Sequence, residues 1–311
     1  MEGIGTLRLT AVGTAATLTA FLAVGAVGVR NYGLNYWYYR GFSAPRDPVW
    51  VTRPGTQERF SVTSLALGGR SQPVYAYLPP GYATSRRRYP VIYLLHGFPG
   101  RPLAFLETLR MGVVVDELAT RDPARAAILV MPYGSTGTFT DKEWADGVGG
   151  GAGWATFVSH DLVRAVDARY RTIPSAQGRV IAGLSEGGYG AINIALHNPR
   201  EFGVVESWSG YERPDRIRSI FGQQLGTLSA NDPTLLLPDV ARELRREHTF
   251  FWFYSGSDDR VRKENRAFAL QLSQLRIPHH YFEAFGGHNW GLWRRNALAA
   301  YLAAIARVSH A

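Results

Sequence analysis

The chain of 311 residues contains no cysteine. That excludes disulfides, thiolate metal ligands and a thiol nucleophile. Lysine is nearly absent too: Lys142 and Lys263 are the only two, so the formal net charge of +9 rests on arginine. The arginines are spread along the chain apart from short clusters such as Arg86-Arg87-Arg88. Such dispersion does not make the concentrated basic stripe of a nucleic-acid groove, and no nucleic-acid partner is expected. It suits work near an anionic membrane or wall surface, and equally it is what an Arg-, Ala- and Gly-rich base composition produces. The polar bias of disordered chains is missing as well, since 46% of residues are hydrophobic and 13% aromatic, enough for one large core or two modest ones. There is no internal repeat and no low-complexity tract beyond Gly149 to Gly151.

Charge is missing from one stretch altogether. Leu9 to Val29, 21 residues, carries none and is followed by Arg30. At about 1.5 Å per residue such a helix crosses a hydrocarbon core of about 30 Å. An uncleaved membrane anchor over 9–29 is therefore expected, behind a tail of residues 1–8. The alternative is secretion after signal cleavage, for which Ala23-Val24-Gly25 is the best small-x-small site. Tyr32, Tyr36, Trp37, Tyr38 and Tyr39 follow, aromatics suited either to the membrane interface or to packing on a folded domain. The flanking charges Glu2, Arg8, Arg30 and Arg40 do not decide orientation. Pro45, Pro48 and Pro54 extend an aromatic and proline-rich linker over 30–55, and a catalytic domain is expected over 56–311.

From there strand-like and helix-like runs alternate, the pattern of a mainly parallel sheet with helices on both faces. Strands are expected near Phe60 to Leu67 and Pro73 to Leu78, with buried central strands at Pro90 to Leu95, Ala126 to Met131, Arg179 to Ala182, Gly203 to Ser207 and Thr249 to Tyr254. A last strand is expected at His280 to Ala284. Val158, Leu162, Val166 and Tyr170 fall on one stripe of a helix. The glycine-rich insert Gly134 to Gly153 has no such period and reads as a long loop, a kind that is often functional.

The run Val180-Ile181-Ala182-Gly183-Leu184-Ser185-Glu186-Gly187-Gly188 is a strand followed by G-x-S-x-G and a helix-compatible segment, Tyr189 to His197. A sharp strand-to-helix turn needs small residues at Gly183 and Gly187, and it lifts Ser185 out of the sheet at a helix N-terminus. A serine hydroxyl is a weak nucleophile and needs a base in reach. Of eight histidines, His288 stands in a glycine-rich loop after the last strand and before a terminal helix, where α/β-hydrolases carry the base. His96 precedes Ser185 in a strand-end turn and reads as structural. His197, His248, His279 and His280 read as helix-surface or strand-flanking residues. The acid that orients the base belongs in Ser255-Gly256-Ser257-Asp258-Asp259. Asp259 is preferred, leaving Asp258 to cap a helix that begins near Val261. The oxyanion donors are the N–H of the residue after the nucleophile, Glu186, and that of Phe98 on the loop after an early strand.

Taken with Leu78-Pro79-Pro80-Gly81-Tyr82, Tyr93-Leu94-Leu95-His96-Gly97, Ser207-Trp208-Ser209-Gly210 and Gly287-His288-Asn289-Trp290 plus Trp293, these motifs make a chain that resembles the putative esterase family. That family contains esterase D, feruloyl esterases and the mycolyltransferases of the mycobacterial envelope. The resemblance runs from about Glu58 to the C-terminus. It implies the α/β-hydrolase fold, the acid at Asp259 through G-x-x-D spacing, an oxyanion donor at Phe98, and a catalytic domain outside the cytoplasm. Many relatives carry Met after the nucleophile; Glu186 here implies a carboxylate beside the acyl pocket. Asp141, Glu143 and Trp144 resemble a cleft-lining segment and, with Trp290, are candidate substrate contacts.

The resulting expectation is a serine-dependent carboxylic ester hydrolase working through an acyl-enzyme at the cell envelope, anchored by its N-terminal helix, with no metal and no organic cofactor. A mycolyltransferase-like acyltransferase onto an envelope lipid or polysaccharide is the alternative within enzymes. An anchored interaction protein that has lost catalysis is the alternative outside them, against which the intact set Ser185, Asp259 and His288 argues.

Overall fold

A computed structural model describes residues 46–134, 143–148, 152–217 and 221–308, with Leu22. The chain divides into two units, Met1–Ala44 and Pro45–Ala311; the fold below is that of the second. The span 9–29, Leu22 excepted, and the aromatics at 32–39 lie outside the described residues. Among the described residues no helix is long and apolar enough to cross a membrane.

Eight strands form one sheet. They are β1 (Thr56–Ser64), β2 (Arg70–Leu78), β3 (Val91–Leu95), β4 (Ile128–Pro132), β7 (Arg179–Leu184), β8 (Val204–Trp208), β9 (Phe250–Gly256) and β10 (His279–Ala284), and their order is β1-β2-β4-β3-β7-β8-β9-β10. β1 and β2 are antiparallel, β2 runs antiparallel to β4, and all later pairs are parallel. This is the expected α/β-hydrolase-type sheet. β3, β4, β7, β8 and β9 are buried along their whole length, which is why they read as unbroken apolar runs rather than alternating ones.

Helices cover both faces. On one side α2 (Met111–Arg121) and α8 (Trp290–Ile305) pack against Ile92, Leu94, Val180, Ala182, Trp252 and Tyr254. On the other, α3 (Val163–Arg169), α4 (Glu186–His197), α6 (Pro233–Arg246) and α7 (Arg262–Gln274) pack against Val91, Tyr93, Ile181, Val205, Phe251 and Phe253. Short helices α1 (Ala104–Glu107) and α5 (Leu225–Ala230) lie in connections. The expected stripe through Val158 and Val166 is present, but α3 is reached through Trp154–Thr156 and a π-helical stretch, Phe157–Leu162.

Two expectations need correction. The insert is not all loop, since β5 (Asp146–Val148) pairs with β6 (Ala152–Gly153). Residues 46–55 are not a free linker: Arg110 donates to the Arg46 carbonyl at 3.4 Å, the Gly55 N–H reaches Asp116 at 2.9 Å, and the Arg121 guanidinium lies 4.6 Å from the centre of the Trp50 ring. Val51 is buried there. Pro48 opens a turn there, closed by the Val51 N–H on its carbonyl at 2.9 Å.

Strand register aligns the ends that matter. Leu95 pairs with Gly183, Leu184 with Trp208, Trp208 with Tyr254 and Gly256 with Ala284. The sheet order reverses between β3 and β7, and a crevice forms at the carboxyl ends of strands where that happens.

Candidate active site

Ser185 sits between β7 and α4 with φ 55° and ψ −119°, a left-handed backbone that costs a non-glycine residue about 1–2 kcal/mol. The surroundings hold it there. Its N–H donates to the Trp208 carbonyl at 3.0 Å, and its own carbonyl accepts from Gly188 and Tyr189 at 2.9 and 3.1 Å. The glycines follow from space: a Cβ on Gly183 would stand 2.2 Å from the Gly187 carbonyl oxygen, and one on Gly187 would stand 1.9 Å from that of Leu95.

His288 lies on the loop between β10 and α8. Its Nε2 is 2.8 Å from the Ser185 hydroxyl and its Nδ1 is 2.9 Å from Asp259 Oδ2. The acid and base loops are bonded to each other, with the Ser257 N–H on the Ala284 carbonyl and the Asp258 N–H on that of Gly286, at 2.7 and 3.0 Å. Asn289 caps α8 through the Leu292 N–H at 3.0 Å. Trp293 meets the His288 ring edge-on with centroids 5.1 Å apart, and Trp290 meets Trp293 in the same way at 5.2 Å.

The Asp259 side chain is fully buried. Burial alone would raise its pKa, but the His288 bond and charge, the Val261 N–H and the nearby Ser209 hydroxyl outweigh it and hold the carboxyl below its ordinary value. Asp259 thus stays ionised and fixes the proton of His288 on Nδ1, leaving Nε2 to accept from serine. Asp258, expected as a helix cap, is exposed. The Val261 N–H goes to Asp259 Oδ1 at 3.1 Å, and α7 starts one residue later.

Glu186 is the first residue of α4, where backbone N–H groups point out of the helix. A Cβ on Gly97 would lie 3.0 Å from that of Ser185, so the Phe98 loop comes up against the nucleophile. The Phe98–Pro99 bond is cis, and the Phe98 ring is 43% exposed. Both donors expected for an oxyanion therefore stand at the end of the sheet that carries Ser185.

His96 has no part in this chain of contacts. It is buried, with Nδ1 on the Gly97 carbonyl at 3.0 Å and Nε2 facing the Gly134 N–H at 3.4 Å. Burial lowers its pKa to about 4, so it is neutral and structural.

The candidate substrate contacts divide. Trp290 is half-buried near His288. Asp141 lies outside the described residues. Glu143 and Trp144 are 2% and 0% exposed, which removes them from the cleft surface. The Trp144 indole N–H donates to the His96 carbonyl at 3.0 Å, and the ring fills space beside Gly134 and Gly190, where a Cβ would approach within 2.1 and 2.5 Å of it. Both residues are left-handed, φ 49° and 50°. The Glu186 carboxylate, expected beside the acyl pocket, is turned inward at 5% exposure and accepts the Glu143 N–H at 3.0 Å.

One supporting residue gave no sequence signal. Asn265 on α7 donates to the Gly210 carbonyl at 2.7 Å and to those of Val261 and Glu212 Oε2 at 3.2 Å, tying the acid loop to the chain leaving β8. Burial first, then neighbouring Glu264, pushes the Glu212 carboxyl well above the carboxylate range. Among the described residues no cluster suits a metal ion.

A model of the family described as "Putative esterase" matches residues 64–305. An esterase of Mycobacterium tuberculosis is 29% identical over 263 residues, covering 74% of this chain and 54% of that protein. The chain thus spans about half the length of the curated relatives it matches first. Among solved structures, a ferulic acid esterase is similar with a TM-score of 0.70 at 22% identity, covering 83% of this chain and 100% of that one. The Staphylococcus aureus fluorophosphonate-binding serine hydrolase F, substrate bound, gives 0.67 at 19% identity, with 81% and 99% covered. At such identities the likeness is one of fold.

Proposed function

Since the chain belongs to the Putative esterase family, we propose that it is a serine-dependent carboxylic ester hydrolase working through an acyl-enzyme. One observation carries the reading: the unbroken line from Asp259 through His288 to Ser185, with contacts of 2.9 and 2.8 Å. Ser185 Oγ attacks the ester carbonyl carbon while its proton passes to His288 Nε2. The oxyanion that forms is held by the N–H groups of Glu186 and Phe98, donors of a kind worth about 10²–10³ in kcat each. Collapse breaks the bond to the alcohol, which leaves with the proton from His288. Water then repeats the sequence on the acyl-enzyme and frees the acid.

The same reading takes the enzyme to the cell envelope, held by an uncleaved helix over 9–29. The uncharged run supports this, and so do the aromatics behind it. Recovery of the protein in the soluble fraction with a new N-terminus near Ala26 or Val29 would end the anchor proposal.

Transfer in place of hydrolysis, to a lipid or polysaccharide hydroxyl, is the second reading. It is favoured by two exposed apolar side chains, Phe98 at 43% and Phe285 at 85%, on the loops that leave β3 and β10 and carry the proposed oxyanion donor and the base.

The test is the intact mass of the purified chain after incubation with a fluorophosphonate, wild type beside Ser185→Ala. One adduct on the wild type and none on the variant is the expected result. An adduct on both, or on neither, overturns the assignment of Ser185. An added alcohol that discharges a preformed acyl group faster than water favours transfer.

A further inference from the structure

The inner side of α8 packs on the sheet through Leu292, Trp293, Ala297, Ala300, Tyr301 and Ala304. A helix so placed ordinarily turns a polar face to water. Here the exposed residues, at helical spacing, are Arg294, Arg295, Leu298, Ala299 and Leu302. Ala297 to Ile305 holds no charged residue, and the whole helix holds no acidic one. Arg295 ties the stripe to the loop of the base by donating to the Phe285 carbonyl at 2.7 Å, and the Phe285 side chain is itself exposed.

An exposed leucine alone is ordinary; the charge next to it sets this stripe apart. On the opposite side of the sheet α7 presents the same pair at the same spacing, Arg266 and exposed Leu270. There the arginine is answered within the domain: Arg266 donates to Glu283 at 3.1 Å, and that bond and charge hold its guanidinium above the ordinary arginine pKa. Arg294, four residues before Leu298, has no carboxylate partner among the described residues, and neither has Arg295. Partial burial first, then the Arg110 cation, holds Arg294 below the ordinary value. Arg110 in turn donates to a neutral group, the Arg46 carbonyl, at 3.4 Å. Cations thus gather at the head of an apolar stripe with no counter-charge from the described residues.

We infer that the outward stripe of α8 is a docking face for an anionic lipid surface, with Arg110, Arg294 and Arg295 at the headgroups and Phe285, Leu298 and Leu302 against the acyl boundary. The inference rests on the reading that takes the enzyme to the cell envelope, but on none of the residues 9–29 proposed to anchor it. Arginine beside exposed aliphatic and aromatic side chains is the composition of helices that lie in the plane of a membrane interface. Docked so, the loop that carries His288 meets the lipid at one end of the stripe.

The absence of cysteine makes the test direct. Single-cysteine variants of the full chain, Leu298→Cys, Leu302→Cys and Leu270→Cys, carry an environment-sensitive thiol dye and are incubated with vesicles of phosphatidylcholine alone or with phosphatidylglycerol added. The dye at 298 and at 302 should shift to the blue on the anionic vesicles only, and should lose the shift at about 1 M salt, where screening acts within about 3 Å. The dye at 270 should not respond. Adding Arg294→Glu to Leu298→Cys should raise the phosphatidylglycerol needed for half the shift by about fivefold or more. A shift at 270 as large as at 298, an equal shift on phosphatidylcholine alone, or no shift at 298 and 302 would overturn the inference. So would a shift without vesicles that grows with protein concentration, since a second copy of the chain would then cover the stripe. A new N-terminus near Ala26 or Val29 would end the anchor and leave the dye response standing, whereas a silent dye on a chain still held by the membrane would end the docking face and leave the anchor.

Discussion

The two flanks of Ser185 are built in opposite ways. On the β9 and β10 side, Asp259 and His288 sit on loops whose positions follow from strand register, each loop bonded backbone to backbone with the other. On the insert side, Glu143 and Trp144 are held in a strained backbone by side chains from elsewhere, Glu186 and the gaps at Gly134 and Gly190. Register places the first flank wherever the sheet forms. The second depends on a few individual contacts, so it is the more easily broken of the two.

The largest expected effect breaks the first flank at its acid. Asp259→Asn should lower kcat by about 10⁴, because an amide no longer selects the tautomer that leaves Nε2 free to accept, whereas exposed Asp258→Asn should stay within about twofold. Steady-state kinetics of the two variants side by side checks this, and equal losses would mean that the loop and not Asp259 is what matters. Next comes the second flank. Trp144→Ala should reduce unfolding free energy by about 3–5 kcal/mol in urea titrations, the range for an aromatic removed from a core. A loss near zero would mean that the insert is not packed as described.

The smallest expected effect concerns His96, whose carbonyl accepts the Trp144 indole N–H on the insert side. Its pKa, lowered to about 4 from 6.5, means that between those values the unfolded chain binds more protons than the folded one. Its contribution is therefore complete above pH 6.5 and is lost as pH falls toward 4, roughly 3 kcal/mol over the window. Asp116, raised to about 6 chiefly by burial, acts in the opposite sense, its contribution fading as pH rises through 6. The informative quantity is thus the difference between wild type and His96→Asn in denaturant midpoints at pH 7 and 4.5. That difference should shrink on acidification, and a gap independent of pH would sink the assignment.

The same contrast explains what could be read from the chain alone. The buried strands were legible because a parallel sheet covered on both faces demands continuous apolar runs, and Val91 to Leu95 or Phe250 to Tyr254 can be little else. Ser185 was legible because Gly183 and Gly187 answer a steric demand only two residues either way. Strand ends slipped by one to four residues where bounds depend on partners, as in β1, expected from Phe60 and found from Thr56. Trp144 was misread as a cleft residue because an indole in a glycine-rich loop carries no mark of the glycines far along the chain that make room for it. The inward turn of Glu186 was hidden for the same reason, since its acceptor role depends on a backbone N–H 43 positions away.

The base of the catalytic line hangs from β10, and β10 is the last strand of the sheet, paired on one side only and nowhere fully buried. Edge elements open at lower free energy than central ones. On warming, the imidazole should therefore part from the serine while β3, β7 and β8 still hold the elbow. Under the proposed function, activity should then be lost below the melting temperature and return on cooling, reporting the one edge strand that carries the base.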